Sequence, residues 1–176
     1  MASRIRVIVP DGEGHLDFIV PHVRKLQSEQ RDVVYLTADR PYRTLTDQLK
    51  AQGLDTSRIH FLDVVSCMDG RLPADRPPNA TFLQSPTMLE MIAMRLEQLA
   101  ARTGRHAHIL VDSLSTLALY NGIPPVQEFS HYLANRLRSS GVPADFIIQA
   151  NRDGSVLAER VASFADEALR PEVDPA

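Results

Sequence analysis

The clearest strand in this sequence is the stretch His108-Ile109-Leu110-Val111-Asp112-Ser113, in which apolar residues lead up to a single acid. A short run of this kind is typical of a strand that is covered on both faces of a parallel sheet. The acid at its end has two readings. It can serve the following loop as a turn or cap residue, or it can reach the metal shell of a nucleotide site.

Strands and helices are predicted to alternate along the rest of the chain. Further strands are predicted at 5–9, 33–36, 59–65, 81–83, 145–149 and 165–169, with helical apolar spacing in the segments between most of them. This alternation predicts an α/β fold with three layers, in which a mostly parallel sheet is flanked by helices on both faces. Ligands of such sheets bind at the carboxyl ends of the strands, which here are the loops at 10–15, 37–40, 65–70, 112–115 and 149–153.

Composition favours one ordinary globular domain. The 176 residues are 44% hydrophobic and 23% charged, and we expect a single domain at 1–170 with a loose tail at 171–176. The net charge of -3 and the low aromatic content of 6%, without tryptophan, give no indication of nucleic acid binding.

Cys67 is the only cysteine, which excludes an internal disulfide and a multi-cysteine zinc site. No apolar run approaches the roughly 18 residues of a membrane span, and the first residues lack the apolar core of a signal peptide. We therefore expect a cytoplasmic protein with no membrane partner. Cys67 follows a strand at the ligand-binding edge, where a nucleophile would be well placed, but a structural cysteine is the favoured reading.

The loop after the first strand lacks the groups that bind phosphate. A phosphate-binding loop needs glycines, a lysine and a serine or threonine. The stretch 9–17 contains Gly12 and Gly14 but no lysine and no hydroxyl residue, and the first lysine of the chain is Lys25. A plain strand–turn–helix connection is therefore favoured, although the helix dipole beyond Gly14 leaves weak anion binding near His15 open. The stretch also carries three acids that would repel a triphosphate, Asp11, Glu13 and Asp17.

The segment Asp112-Ser113-Leu114-Ser115-Thr116-Leu117, followed by Tyr120-Asn121-Gly122, resembles the Walker B segment of the KaiC-like branch of the RecA-type ATPases. The segments 34–37, 49–55 and 129–141 look like that family's second strand, second helix and the helix after Walker B. The resemblance covers most of the chain, and its specific part is the segment at Asp112.

The resemblance implies a RecA-like sheet and a set of site residues. In active members a lysine and a threonine of the first loop hold phosphate and magnesium, and an acid after the second strand activates water. Asp112 matches the Walker B position and Asp39 stands near the activating acid, but nothing matches the lysine or the threonine. The chain thus resembles a degenerate member without the Walker A loop, and ATP hydrolysis is not expected.

Two main functions follow from this reading. The first is a non-catalytic, regulatory or scaffolding domain that needs no cofactor and contacts a protein partner, as a homo-oligomer or with an active paralogue. The alternative is a nucleotide-binding switch or weak ATPase, in which ATP and magnesium bind Asp112, Ser113, Gly12, Gly14 and His15, with Arg40 or Arg43 of a neighbour supplying charge. A third class, a thiol or metal-dependent enzyme, would need Cys67 or a histidine beside a suitable acid or base.

Histidines offer no persuasive metal site. His106, His108 and Asp112 share one strand face, but the first and last would lie about 20 Å apart at 3.3 Å per residue. His15 and His22 share a helical face about 10 Å apart, and we read them as surface or partly buried side chains.

Overall fold

Seven parallel strands form one sheet in the computed structural model, which describes residues 4–11 and 15–172. In chain order they are β1 (Ile5–Ile8), β2 (Asp32–Thr37), β3 (Ile59–Asp63), β4 (Ala80–Phe82), β5 (Ala107–Asp112), β6 (Ala144–Ile147) and β7 (Glu167–Leu169). Their order across the sheet is β4-β3-β2-β5-β6-β1-β7. Every strand pairing in this part of the chain is parallel.

The helices cover both faces of the sheet. They are α1 (His15–Ser28), α2 (Tyr42–Ala51), α3 (Leu89–Thr103), α4 (Leu114–Asn121), α5 (Ile123–Ser140) and α6 (Arg152–Ala162), with a 3-10 turn at Thr56–Arg58. Apolar side chains of α1 and α2 pack with one face of the sheet, and those of α3, α4, α5 and α6 pack with the other. The predicted three-layer α/β architecture is therefore confirmed.

The strand register places polar residues side by side at the carboxyl edge. Thr37 at the end of β2 lies between Asp63 at the end of β3 and Asp112 at the end of β5. The backbone N–H of Ala38 donates to the carbonyl oxygen of Asp112 at 2.9 Å, which extends this pairing one residue beyond β2. Three loops that the sequence marked as informative thus start from one edge.

The helix α4 is the element that sequence periodicity missed. Its apolar residues are spread around the whole helix rather than along one side, so no helical stripe was evident. Ser113 begins it as an N-cap, since its side-chain oxygen accepts from the backbone N–H of Thr116. At the C-terminal end of α5, Gly141 has a left-handed φ of 74°, a conformation that glycine adopts readily and that ends the helix.

Smaller boundaries also differ from the sequence prediction. The helix α3 begins at Leu89, after a polar turn in which the N–H of Thr87 donates to Ser85 Oγ. Two residues after β7 also pair with the chain. The N–H of Asp11 donates to the carbonyl oxygen of Pro171 at 3.1 Å, and Asp11 pairs with Glu172 in a parallel bridge. These two residues of the predicted tail lie beside the loop after β1.

Candidate functional site

The carboxylate of Asp112 lies at the carboxyl edge of the sheet, at the end of a strand that is buried along its whole length. Its side chain projects to the face covered by α1, as do those of Leu110 and His108, two and four residues earlier. Asp112 is only 2% exposed. A charged group so deeply buried requires hydrogen-bond partners.

Two side chains bond to the same oxygen of Asp112. His15 Nε2, on the first residue of α1, lies 2.8 Å from Oδ2, and the hydroxyl of Tyr35 in β2 donates to that oxygen as well. The other oxygen, Oδ1, is buried and has no hydrogen-bond partner among the described residues. Asp112 is thus hydrogen-bonded to one residue of the helix α1 and to one residue of the neighbouring strand β2.

The pKa values of both partners reflect this contact. Burial acts to lower the pKa of His15, but the hydrogen bond to Asp112 and the charge of Asp112 outweigh it, so the pKa is raised. Burial, together with the negative charge of Asp112, raises the pKa of Tyr35 well above its ordinary value. Tyr35 therefore acts as a hydroxyl donor, and the protonated form of His15 is favoured beside the carboxylate.

Asp39 and Arg40 lie close to this cluster in the turn after β2. Their charges act on His15 in opposite directions, Asp39 raising its pKa and Arg40 lowering it. Asp39 is exposed, and the hydroxyl of Thr37 donates to the carbonyl oxygen of Arg40 at 2.6 Å, which closes the turn. The role of Asp39 as an activating acid stays a prediction.

The serines after Asp112 are used by the fold itself. Ser113 is fully buried, and its Oγ lies 2.9 Å from Thr116 Oγ1 in addition to capping α4. Ser115 Oγ accepts from the backbone N–H of Gln149 at 2.7 Å and so ties α4 to the loop after β6. Of the other predicted nucleotide ligands, Gly12 and Gly14 lie outside the described residues.

Cys67 is a buried thiol that takes no part in the Asp112 cluster. It is 2% exposed, and burial together with the charges of Asp63 and Asp69 raises its pKa. The carboxylate of Asp63 already accepts hydrogen bonds from the backbone N–H groups of Tyr42, Val65 and Ser66. A raised pKa disfavours the thiolate that nucleophilic chemistry needs.

A second buried carboxylate, Asp145, was not found by the sequence reasoning. It is fully buried in β6 and accepts from Arg6 Nε at 2.6 Å, His22 Nε2 at 2.7 Å and His108 Nε2 at 2.9 Å. These hydrogen bonds hold the pKa of Asp145 well below its ordinary value, although burial acts to raise it. The available signal was that Arg6, His108 and Asp145 are each a polar residue at or near the start of a predicted apolar strand.

His15, at the first residue of α1, and His22, two turns further on, therefore contact different carboxylates. Both side chains are partly buried, with exposed fractions of 15% and 10%. Among the described residues, no group of three or more histidine, cysteine or acidic side chains is arranged to hold a metal ion. Within residues 4–11 and 15–172, no helix is both long and apolar enough to cross a bilayer.

The parallel sheet, its two helical layers and the acid at the end of β5 define a domain with the RecA/KaiC-type fold. A crystal structure of a KaiC-like protein from the hyperthermophilic archaeon Pyrococcus horikoshii OT3 is similar, with a TM-score of 0.67 at 14% identity over 94% of this chain and 70% of that one. Residues 14–169 match the model of DUF7504, described as a family of unknown function, and the chain belongs to that family. No curated protein matches the chain.

Proposed function

We propose that this chain is a non-catalytic RecA/KaiC-like domain, a pseudo-ATPase that acts through protein contacts as a regulatory or scaffolding subunit. The observation that carries this proposal is the occupation of Asp112 Oδ2 by His15 Nε2 and the Tyr35 hydroxyl. In the alternative, a nucleotide-binding switch or weak ATPase, this carboxylate would have to lie in the coordination shell of a magnesium ion.

The geometry around Asp112 does not fit magnesium. Mg²⁺ binds oxygen ligands in a near-ideal octahedron and keeps several waters, which requires open space beside the carboxylate. Here Oδ2 already has two partners, and Oδ1 is buried. A metal ion would have to displace the imidazole of His15 and open the contact between α1 and β5.

The first loop adds a second argument. Phosphoryl transfer depends on positioning the phosphates and neutralising their charge, which in P-loop proteins is the work of a lysine and of backbone N–H groups. The residues from Pro10 to Asp17 include neither a lysine nor a hydroxyl group, and three of them are acids. This composition supports a domain that has kept the RecA-like sheet without ATP chemistry.

Enzyme turnover tests the proposal. Purified protein with ATP and magnesium is expected to release phosphate no faster than the Asp112→Asn variant, because no Asp112-dependent reaction takes place. Asp39→Asn serves as a second variant at the other predicted acid. Turnover that either substitution abolishes would overturn the non-catalytic assignment.

A nucleotide-binding switch is the second candidate, and the unpaired Oδ1 of Asp112 favours it. In that case His15 would leave Asp112 when nucleotide and magnesium arrive. The His15→Ala variant, which removes the competing imidazole, should then bind magnesium and ATP more tightly than the unaltered protein in isothermal titration calorimetry. Equal absence of binding in both proteins supports the non-catalytic domain.

The protein contacts would be made with another copy of the chain or with an active RecA-like paralogue. Light scattering after size-exclusion chromatography measures the first possibility, and mixing with a candidate paralogue measures the second. A chain that stays monomeric and never associates would contradict the proposed scaffolding role.

A further inference from the structure

A groove runs between α3 and α5. It lies on the outer side of the helical layer that covers the sheet face opposite α1. It encloses about 730 Å³. Because both helices lead from the carboxyl edge of the sheet to its amino edge, they lie side by side in the same direction. The groove starts near Leu89 and Pro125, and Glu97 closes its far end with an ion pair of 2.9 Å to Arg136 Nε.

The floor of the groove is apolar, and two large side chains stand exposed along it. Ala93 and Phe129 form part of the floor and belong to the core. Met94 is 40% exposed and Tyr132 is 54% exposed, one on each wall. Methionine and tyrosine are enriched at protein interfaces, where they supply adaptable contact area.

Acidic side chains line the rim. Glu90 and Glu128 are exposed on opposite walls, and within the described part of the chain neither makes a hydrogen bond or an ion pair. Glu97 is paired with Arg136, so the two unpaired carboxylates give the rim a net negative charge. An occupant with basic groups on both sides of an apolar stripe would complement this pattern.

We propose that the α3–α5 groove docks an amphipathic helix of a partner protein, whose apolar stripe is flanked by lysine or arginine. This inference rests on the proposed function, for which it names the contact surface. From Leu89 to Glu97 the α3 wall spans about 12 Å at 1.5 Å per residue. That length holds the apolar anchors of about two helical turns, the spacing at which helices dock in grooves.

A second copy of this chain fits the groove less well. Among the large apolar residues that the structure describes, the most exposed is Leu119, at 80%, on α4, a helix without any charged residue. Such a helix would leave Glu90 and Glu128 unpaired. An anionic lipid surface is disfavoured for the opposite reason, since the acidic rim would repel it.

The probe for the experiment is a labelled synthetic helix of leucine and lysine in amphipathic order, with a leucine–glutamate helix of the same pattern as its counterpart. Fluorescence anisotropy should show saturable binding of the basic helix that weakens as salt is added. The double variant Glu90→Lys with Glu128→Lys should bind it about tenfold more weakly, since two attractions become repulsions. That variant should also gain affinity for the acidic helix.

The matched control reverses two exposed acids outside the groove, Asp47→Lys with Glu159→Lys, and should leave binding unchanged. Tyr132→Ala, which removes an exposed anchor, should weaken binding without unfolding the protein. Equal loss in the control, or no saturable binding, would overturn the proposal. So would a dimer of this chain, or binding to anionic vesicles, that the groove variant abolishes.

Failure here is distinguishable from failure of the proposed function. The helix titration contains no nucleotide, and Glu90 and Glu128 lie on other elements than Asp112. ATP turnover that depends on Asp112 overturns the non-catalytic assignment whatever the helix does. Absence of helix binding overturns only the proposal that this groove is a docking site.

Discussion

At the scale of single residues, Asp112 Oδ2 accepts hydrogen bonds from two side chains far away in sequence, His15 and Tyr35. Tyr35 lies in β2 and is fully buried, so its hydroxyl has no water to return to if the contact is lost. A buried carboxylate that loses a donor is destabilised by the cost of its own desolvation. The two donors therefore stabilise the fold as well as occupying the carboxylate.

Tyr35→Phe removes the hydroxyl and keeps the ring, so its effect measures this hydrogen bond. We expect the free energy of unfolding to fall by about 1–3 kcal/mol, as measured by urea denaturation. Tyr132→Phe is the control, since Tyr132 is exposed on the outer surface and should change stability by less than about 0.5 kcal/mol. Equal effects of the two substitutions would show that the Tyr35 hydroxyl contributes nothing.

At the scale of elements, α1 is attached to the sheet by two histidines, one at its first residue and one near its middle. His15 bonds to Asp112 at the carboxyl edge, and His22 bonds to Asp145 in β6. Between them, Phe18 and Ile19 pack into the core. Asp145 also accepts from Arg6 in β1 and His108 in β5, so one carboxylate links a helix to three strands.

The contribution of the Asp145 contacts to stability should depend on pH. Its pKa in the folded protein is lowered, so its stabilising contribution is present above the ordinary aspartate pKa of about 3.9 and is lost as pH falls toward the folded value. Asp145→Asn removes the counter-charge of Arg6 and the carboxylate oxygen to which both imidazoles bond, and should destabilise the fold by about 3–5 kcal/mol at neutral pH. Urea denaturation at a series of pH values measures both effects.

The control for that series is Asp39→Asn, an exposed acid that should change stability by less than about 0.5 kcal/mol. If Asp145→Asn does not fold, His22→Ala tests the same contact, with hydrogen exchange of α1 as the readout. Unchanged protection of α1 in that variant would show that the His22 contact does not hold the helix.

At the scale of the whole molecule, the sheet and its helices form one structure whose stability a ligand can raise only by binding the folded state. If Asp112 holds no magnesium, the melting temperature should not change when ATP and magnesium are added together. Thermal unfolding followed by circular dichroism measures this. A saturable rise in melting temperature that Asp112→Asn removes would contradict the expectation.

Sequence reasoning recovered each of the seven strands in the described part of the chain, because their short β-branched and apolar runs are separated by clear breaks. It missed α4, whose apolar residues lie on all sides and give no helical period. It placed Asp112 correctly at a strand end, but it treated His15 only as a possible nucleotide ligand or a partly buried side chain, and His22 only as a surface or partly buried side chain. Their partners lie 97 and 123 residues away, a separation that no local pattern reports.

The sequence by itself determined the α/β alternation, the acid at the end of β5 and the lack of a lysine or hydroxyl residue in the first loop, since each depends on local composition. Only the tertiary structure decided which partners Asp112 has. The reason is physical: the packing of α1 on β5 brings His15 to the carboxylate, and the neighbouring strand β2 brings Tyr35, so the nature of the site depends on elements that meet only in the folded chain.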